Sequence, residues 1–137
     1  MSFENSIQKL EMWASKKGFK LSFGATPDQV SFENKIIYVY NKQKKENQVY
    51  SLLHECGHIL VSQNIEDFEK SYPMYAHASD VTKRQEKTNK YKVSLIGEEF
   101  EAWKRGLSLA KRLGIEINKE NYDKIMSKCL MTYIKWA

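Results

Sequence analysis

With 137 residues, 22 of them basic and 17 acidic, the chain suits a single domain over residues 1–137, able to bury about two thirds of its unfolded surface around one core. Its two cysteines, Cys56 and Cys129, form neither a disulfide framework nor a Cys-x-x-Cys pair, and no run approaches the ~18 apolar residues of a transmembrane helix. The net charge of +5 falls well short of a basic tail, and Met1 to Asn5 lack the features of a signal peptide, so a soluble cytoplasmic protein with no membrane partner is expected.

Residues 4–17 carry Ile7, Leu10 and Trp13 at helical spacing and end at Gly18, which predicts a first helix with a glycine cap. Phe19 to Phe23 alternates as a strand does. After the turn signal Thr26-Pro27-Asp28, two β-rich runs follow, Gln29 to Phe32 and Lys35 to Tyr40, joined by Glu33-Asn34 as a tight hairpin. Together these runs predict a small antiparallel sheet. The polar segment Asn41 to Asn47 then leads into an apolar stretch, Tyr50 to Val61, read as a buried helix. Residues 62–81 hold a proline, three aromatics and a histidine without a sustained period, which predicts an irregular segment with short helical turns.

From about Thr82 to Leu113, Val93, Ile96, Phe100, Trp103, Leu107 and Ala110 recur every three or four residues, until Gly114 stops the helix. A last helix is expected from Lys119 to Lys135, with Asn118 as its N-cap and Tyr122, Ile125, Cys129 and Tyr133 on its buried side.

The chemistry concentrates in the buried helix, at His54-Glu55-Cys56-Gly57-His58. Residues i and i+4 lie one above the other on a helix face, so the two imidazoles can bind one cation. Glu55 then sits beside that cation, where a carboxylate can take a proton from a metal-activated water. Catalytic zinc takes three protein ligands, so a third must come from elsewhere. A glycine three and a histidine six positions after His58 would give the metzincin arrangement, but Val61 and Asn64 stand there.

The remaining candidates are His77 and the carboxylates of Gly97-Glu98-Glu99-Phe100-Glu101-Ala102-Trp103. On a helical wheel Glu99 falls inside the apolar arc with Leu95, Ile96, Ala102 and Trp103, Glu98 lies on its boundary, and Glu101 shares a face with Arg105, Ser108 and Arg112. A carboxylate in an apolar arc needs a compensating charge, and a zinc ion held by two neutral imidazoles is one. Glu99 is therefore the expected third ligand, with Glu98 or His77 as its replacements.

The motif helix followed by a helix carrying Glu99-Phe100-Glu101-Ala102 resembles the gluzincin metallopeptidases, and among them the small intracellular proteins related to the ImmA/IrrE domain. The stretch from Glu101 to Gly106, with Leu109-Ala110 and Leu113-Gly114-Ile115, is similar to small metallopeptidases encoded by bacteriophages. The resemblance covers the strand before the motif, the motif helix and the Glu99 helix. It implies an α+β zincin-like fold in which a helical bundle packs beside the sheet, with His54, His58 and Glu99 as zinc ligands and Glu55 as base. It also implies that the strand Ile36 to Tyr40 is an edge strand on which substrate adds through Ile36, Tyr38 and Tyr40. Two departures stand out: Glu99 follows His58 by 41 positions (99 minus 58), implying an insertion from Ser62 to about Tyr91, and Trp103 replaces the Asp or Asn of many relatives.

The expected activity is zinc-dependent hydrolysis of peptide bonds in an intracellular protein, more in the manner of an endopeptidase than an exopeptidase. His77, Tyr72 and Tyr75 are candidates to stabilise the oxyanion, and the spacing of 19 from His58 to His77 is compatible with the third histidine that some DNA-associated SprT-type peptidases use. Two alternatives stay open: a silent zinc-binding interaction module, and a DNA-bound peptidase whose basic stretch Lys83 to Lys92 touches phosphates.

Overall fold

A computed structural model describes residues 2–78 and 80–137; of the segment 62–81, residue 79 lies outside the described residues. Helix α1 spans Phe3–Lys16, strands β1, β2 and β3 span Lys20–Gly24, Gln29–Ser31 and Ile36–Tyr40, and helices α2 to α5 span Lys45–Ser62, Ile65–Glu69, Asn89–Leu113 and Lys119–Trp136. A 3-10 turn, Gln85–Lys87, precedes α4. Among the described residues the fold is α+β, with five α-helices and one three-stranded sheet.

Side-chain caps set several of these boundaries. Ser2 accepts from Asn5 N at 3.1 Å, Thr88 from Tyr91 N at 3.1 Å and Asn118 from Asn121 N at 3.1 Å, each satisfying a donor that the helix leaves free. Gly114 ends α4 with φ 70°, a conformation that suits glycine at a helix C-terminus. The expected helix from Thr82 starts later, at Asn89, because Thr88 is extended and caps it.

The sheet differs from the expected antiparallel one. Its order is β1-β3-β2, with β1 parallel to β3 and β2 antiparallel to β3, so it is mixed. The β2–β3 connection exists, but Ser31 pairs with Ile36 and the turn takes four residues, 32–35, rather than the two of Glu33-Asn34. Lys35 absorbs the reversal at φ 58°. Ile36 to Tyr40 is thus the central strand and not an edge. Ile36 and Tyr38 are paired on both sides, and Tyr40 pairs with β1 while its N–H donates to Asp28, so none of the three offers a free strand edge.

Ile37 and Val39 point from β3 into the core, where they meet Leu10 and Ala14 of α1, Leu52, Leu53 and Cys56 of α2, and Trp103 and Leu109 of α4. Helix α2 is the axis of the molecule and touches every other α-helix as well as β2 and β3. Its contact with α4 is unusually close. A Cβ placed on Gly57 would lie 1.8 Å from Ala102 O, and one on Gly106 would lie 2.5 Å from Leu53 O. The two backbones therefore meet through glycines at 57 and 106, one turn apart on each helix.

That close approach explains why the buried side of α4 is only in part the expected stripe. Trp103 and Ala110 are buried as expected, but Val93 and Phe100 are 53% and 38% exposed, and Ser94, Glu98, Glu99, Ala102 and Gly106 are buried beside Leu95 and Leu109. The face mixes large apolar residues with small and polar ones, which a search for large apolar ones passes over.

Candidate metal centre

His54 and His58 leave α2 on one face, with ring centroids 4.6 Å apart, and Glu99 meets them from α4. One ligand atom from each of these three buried residues lies within 4.8 Å of the others, the spacing of a single cation site. Glu99 Oε2 is 2.7 Å from His58 Nε2, and its Oε1 is 3.5 Å from His54 Nε2. His54 Nε2 and Glu55 Oε2 are both buried without a hydrogen-bond partner among the described residues. A divalent cation held with His58 and Glu99 would satisfy His54 Nε2 and leave Glu55 Oε2 beside it.

The electrostatics are those of a site built around positive charge. Burial alone would raise the Glu99 carboxyl, but the close polar contacts and charges of His54 and His58 hold it well below the usual carboxylate range. Burial disfavours charge on His58, yet the hydrogen bond and charge of Glu99, with Glu55 and Glu98 nearby, push its imidazole up to about 9. Glu55 moves the other way: its complete burial raises it, and the nearby histidines only partly offset this.

Trp103 lies flat on His54, with centroids 4.2 Å apart and planes 7° from parallel. Trp103 thus fixes the ring by stacking rather than by a hydrogen bond. Glu98, expected on the boundary of the apolar arc, is only 1% exposed. Its carboxylate contacts His77 Nδ1 and lies 3.7 Å from His58 Nδ1.

The candidate oxyanion donors separate in space. His77 lines the cleft, its side chain 46% exposed and its ring 6.2 Å from that of His58. Tyr75 is turned to Glu98, and Tyr72 stacks on Phe68 at 4.7 Å and packs over Gly97. The cleft above the ligands is bounded by the segment from Pro27 to Val30 and Phe32 on one side and by Ile125, Lys128, Cys129, Thr132 and Tyr133 of α5 on another. Tyr133 went unnoticed as a functional group in the sequence. Its place on the buried side of α5 was legible, but the cleft that it lines together with Glu99 is formed by several elements.

Comparison with protein-family models, with curated proteins and with solved structures gives no match. No helix among the described residues is long and apolar enough to cross a membrane.

Proposed function

We propose that the chain is a zinc metallopeptidase of the gluzincin kind, with His54, His58 and Glu99 holding the metal and Glu55 as general base. The observation that carries this reading is a buried three-donor site with a partnerless carboxylate oxygen beside it. A structural zinc site closes with four protein ligands and has no use for a base, whereas a catalytic one keeps a position open. Zinc in this place would supply a Lewis acid that acidifies a water and polarises a carbonyl.

Glu55 takes the proton of the attacking water and, as a carboxylic acid, delivers it to the departing amine. Its raised affinity for protons suits that exchange, since a base with an ordinary carboxylate pKa would hold the proton too weakly to pass it on. Substrate would add to β2 rather than β3. Strand β2 ends the sheet, and Gln29 and Val30 border the cleft, so an extended peptide pairing there would run beside the ligands.

Metal analysis tests the ligand set: zinc should be stoichiometric in wild type and His77→Ala and lost in Glu99→Ala. Loss in His77→Ala with retention in Glu99→Ala would move the third ligand to His77 and overturn the gluzincin assignment. Glu55→Gln should keep its zinc while proteolysis of candidate cytoplasmic proteins stops. Proteolysis that persists unchanged in that variant would refute the enzyme reading.

A further inference from the structure

Helix α5 supplies one wall of the cleft, and its first turn fixes where that wall stands. Asn118 N donates to Tyr50 Oη at 2.9 Å, Asn121 Nδ2 donates to Glu46 at 3.0 Å, and the buried Tyr122 ring meets Trp103 edge-on with centroids 5.3 Å apart. From this anchor Ile125, Lys128, Cys129 and Thr132 follow along the cleft at helical spacing. Ile125 and Cys129 are half-buried, whereas Lys128 and Thr132 are exposed.

Lys128 is the only lysine or arginine among the described residues that line the cleft, and it shares that lining with four carboxylates, Asp28, Glu55, Glu98 and Glu99. None of them neutralises it. Asp28 Oδ1 already accepts from Tyr40 N at 2.7 Å and from Gln43 Nε2 at 3.1 Å, and the three glutamates are buried, at most 4% exposed. Its own helix offers no acid either. Lys119 and Lys124 pair with Asp123 at 2.8 Å and Glu120 at 3.5 Å, but the residues three and four positions from Lys128 are Lys124, Ile125, Met131 and Thr132. Among the described residues Lys128 thus has no ion-pair or hydrogen-bond partner.

We propose that Lys128 is the specificity-determining residue of the cleft and receives a carboxylate of a peptide substrate, from an Asp or Glu side chain or from the peptide's C-terminus. This deepens the peptidase reading and rests on it. A peptide paired with β2 would have α5 as the opposite wall, because Gln29 and Val30 border the same cleft as Lys128. A single cation there attracts one acidic group, while the carboxylates elsewhere on the lining repel a second, so the recognised group also fixes the register of the peptide. Thr132 does not compete as a donor, since its hydroxyl donates to Cys129 O at 2.6 Å.

The test is the cleavage profile of the zinc-loaded full chain on a proteome-derived peptide library, read by mass spectrometry. Wild type should cut with Asp or Glu enriched at one fixed position from the scissile bond, or at a fixed distance from peptide C-termini, which tells the two sources of the carboxylate apart. On a peptide chosen from that profile, kcat/KM should fall by about 5–10-fold in Lys128→Ala and stay near wild type in Lys128→Arg. Lys128→Glu should turn the preference at that position toward Lys or Arg, a change that loss of structure alone would not produce. Zinc content and melting temperature should match wild type in all three variants, because the side chain is exposed and unpaired. No acidic preference in wild type, or the same preference in Lys128→Glu, would overturn the inference and leave the peptidase reading standing. Absence of cleavage by wild type would instead remove that reading, and this inference with it.

Discussion

Replacing Gly57 with Ala adds one methyl group inside the motif and tests whether the metal site depends on the α2–α4 approach. The added Cβ would stand 1.8 Å from Ala102 O, 2.6 Å from Ala102 C and 2.9 Å from Ala102 Cα. An ordinary C···O contact needs about 3.3 Å, so the helices must part by roughly 1.5 Å. No side chain can rotate to relieve this, since all three atoms are backbone. Overpacking costs about 3 kcal/mol at the upper end, offset by about 1 kcal/mol from alanine's better helix propensity, for a net loss of about 2 kcal/mol. The effect on metal should be larger. The ligand atoms fit within 4.8 Å of one another across the same interface, and such constellations tolerate only about 0.5 Å of error. Zinc affinity should therefore fall by about 100-fold or more, read by chelator competition, with the urea midpoint of the metal-free protein lowered in parallel. Gly97→Ala is the contrast, because the atoms nearest its Cβ all belong to the Tyr72 ring, a side chain that can turn aside. Wild-type zinc affinity in Gly57→Ala would refute the claim that this crossing sets the ligand geometry.

The metal-free protein should have a definite pH window. His58 is raised in the folded state to about 9, so its stabilising share is complete below about 6.5 and is lost as pH rises through about 9. Glu99 is lowered, so its share is complete above its ordinary pKa near 4.5 and is lost as pH falls below it. Thermal melts in chelator should peak between about pH 5 and 6.5 and fall by roughly 5 °C or more by pH 9; a flat profile from pH 6.5 to 9 would contradict the His58–Glu99 pairing. Trp103→Ala should cost about 3–5 kcal/mol in denaturant unfolding and weaken zinc by releasing His54, whereas Trp103→Phe keeps a stacking face and most of both. Equal zinc affinity in the two variants would show that stacking does not position His54.

Parts of the site that rest on local geometry were legible in the sequence. His54 and His58 share a face because four residues make about one helical turn, and Glu99 could be picked out because a carboxylate amid Leu95, Ile96, Ala102 and Trp103 needs a positive partner. Asn118 and Gly114 marked their helix ends by capping chemistry alone. Features that depend on distant partners were not legible. Strands β1 and β3 pair in parallel across an intervening strand, and nothing in either run's alternation encodes that order. The buried side of α4 escaped the pattern for a related reason: Gly106 and Ala102 earn their burial by letting α2 come near, which hydrophobic periodicity does not register.

Glu98 and Glu99 show how a choice posed by the sequence can have two answers. Read along one helix, neighbouring carboxylates 100° apart compete for a single role as third ligand. Set against α2, they face different atoms of the same ring: Glu99 Oε2 lies 2.7 Å from His58 Nε2 and Glu98 Oε2 lies 3.7 Å from His58 Nδ1. An imidazole whose outer nitrogen is turned toward a buried carboxylate is biased to carry its proton there, which frees Nε2 to face a cation. Glu98 also contacts His77 at the rim of the cleft, so one buried carboxylate joins the ligand His58 to a solvent-facing histidine. The long segment between α2 and α4 therefore does more than separate these residues in sequence: it returns His77 to Glu98, with its ring 6.2 Å from that of His58.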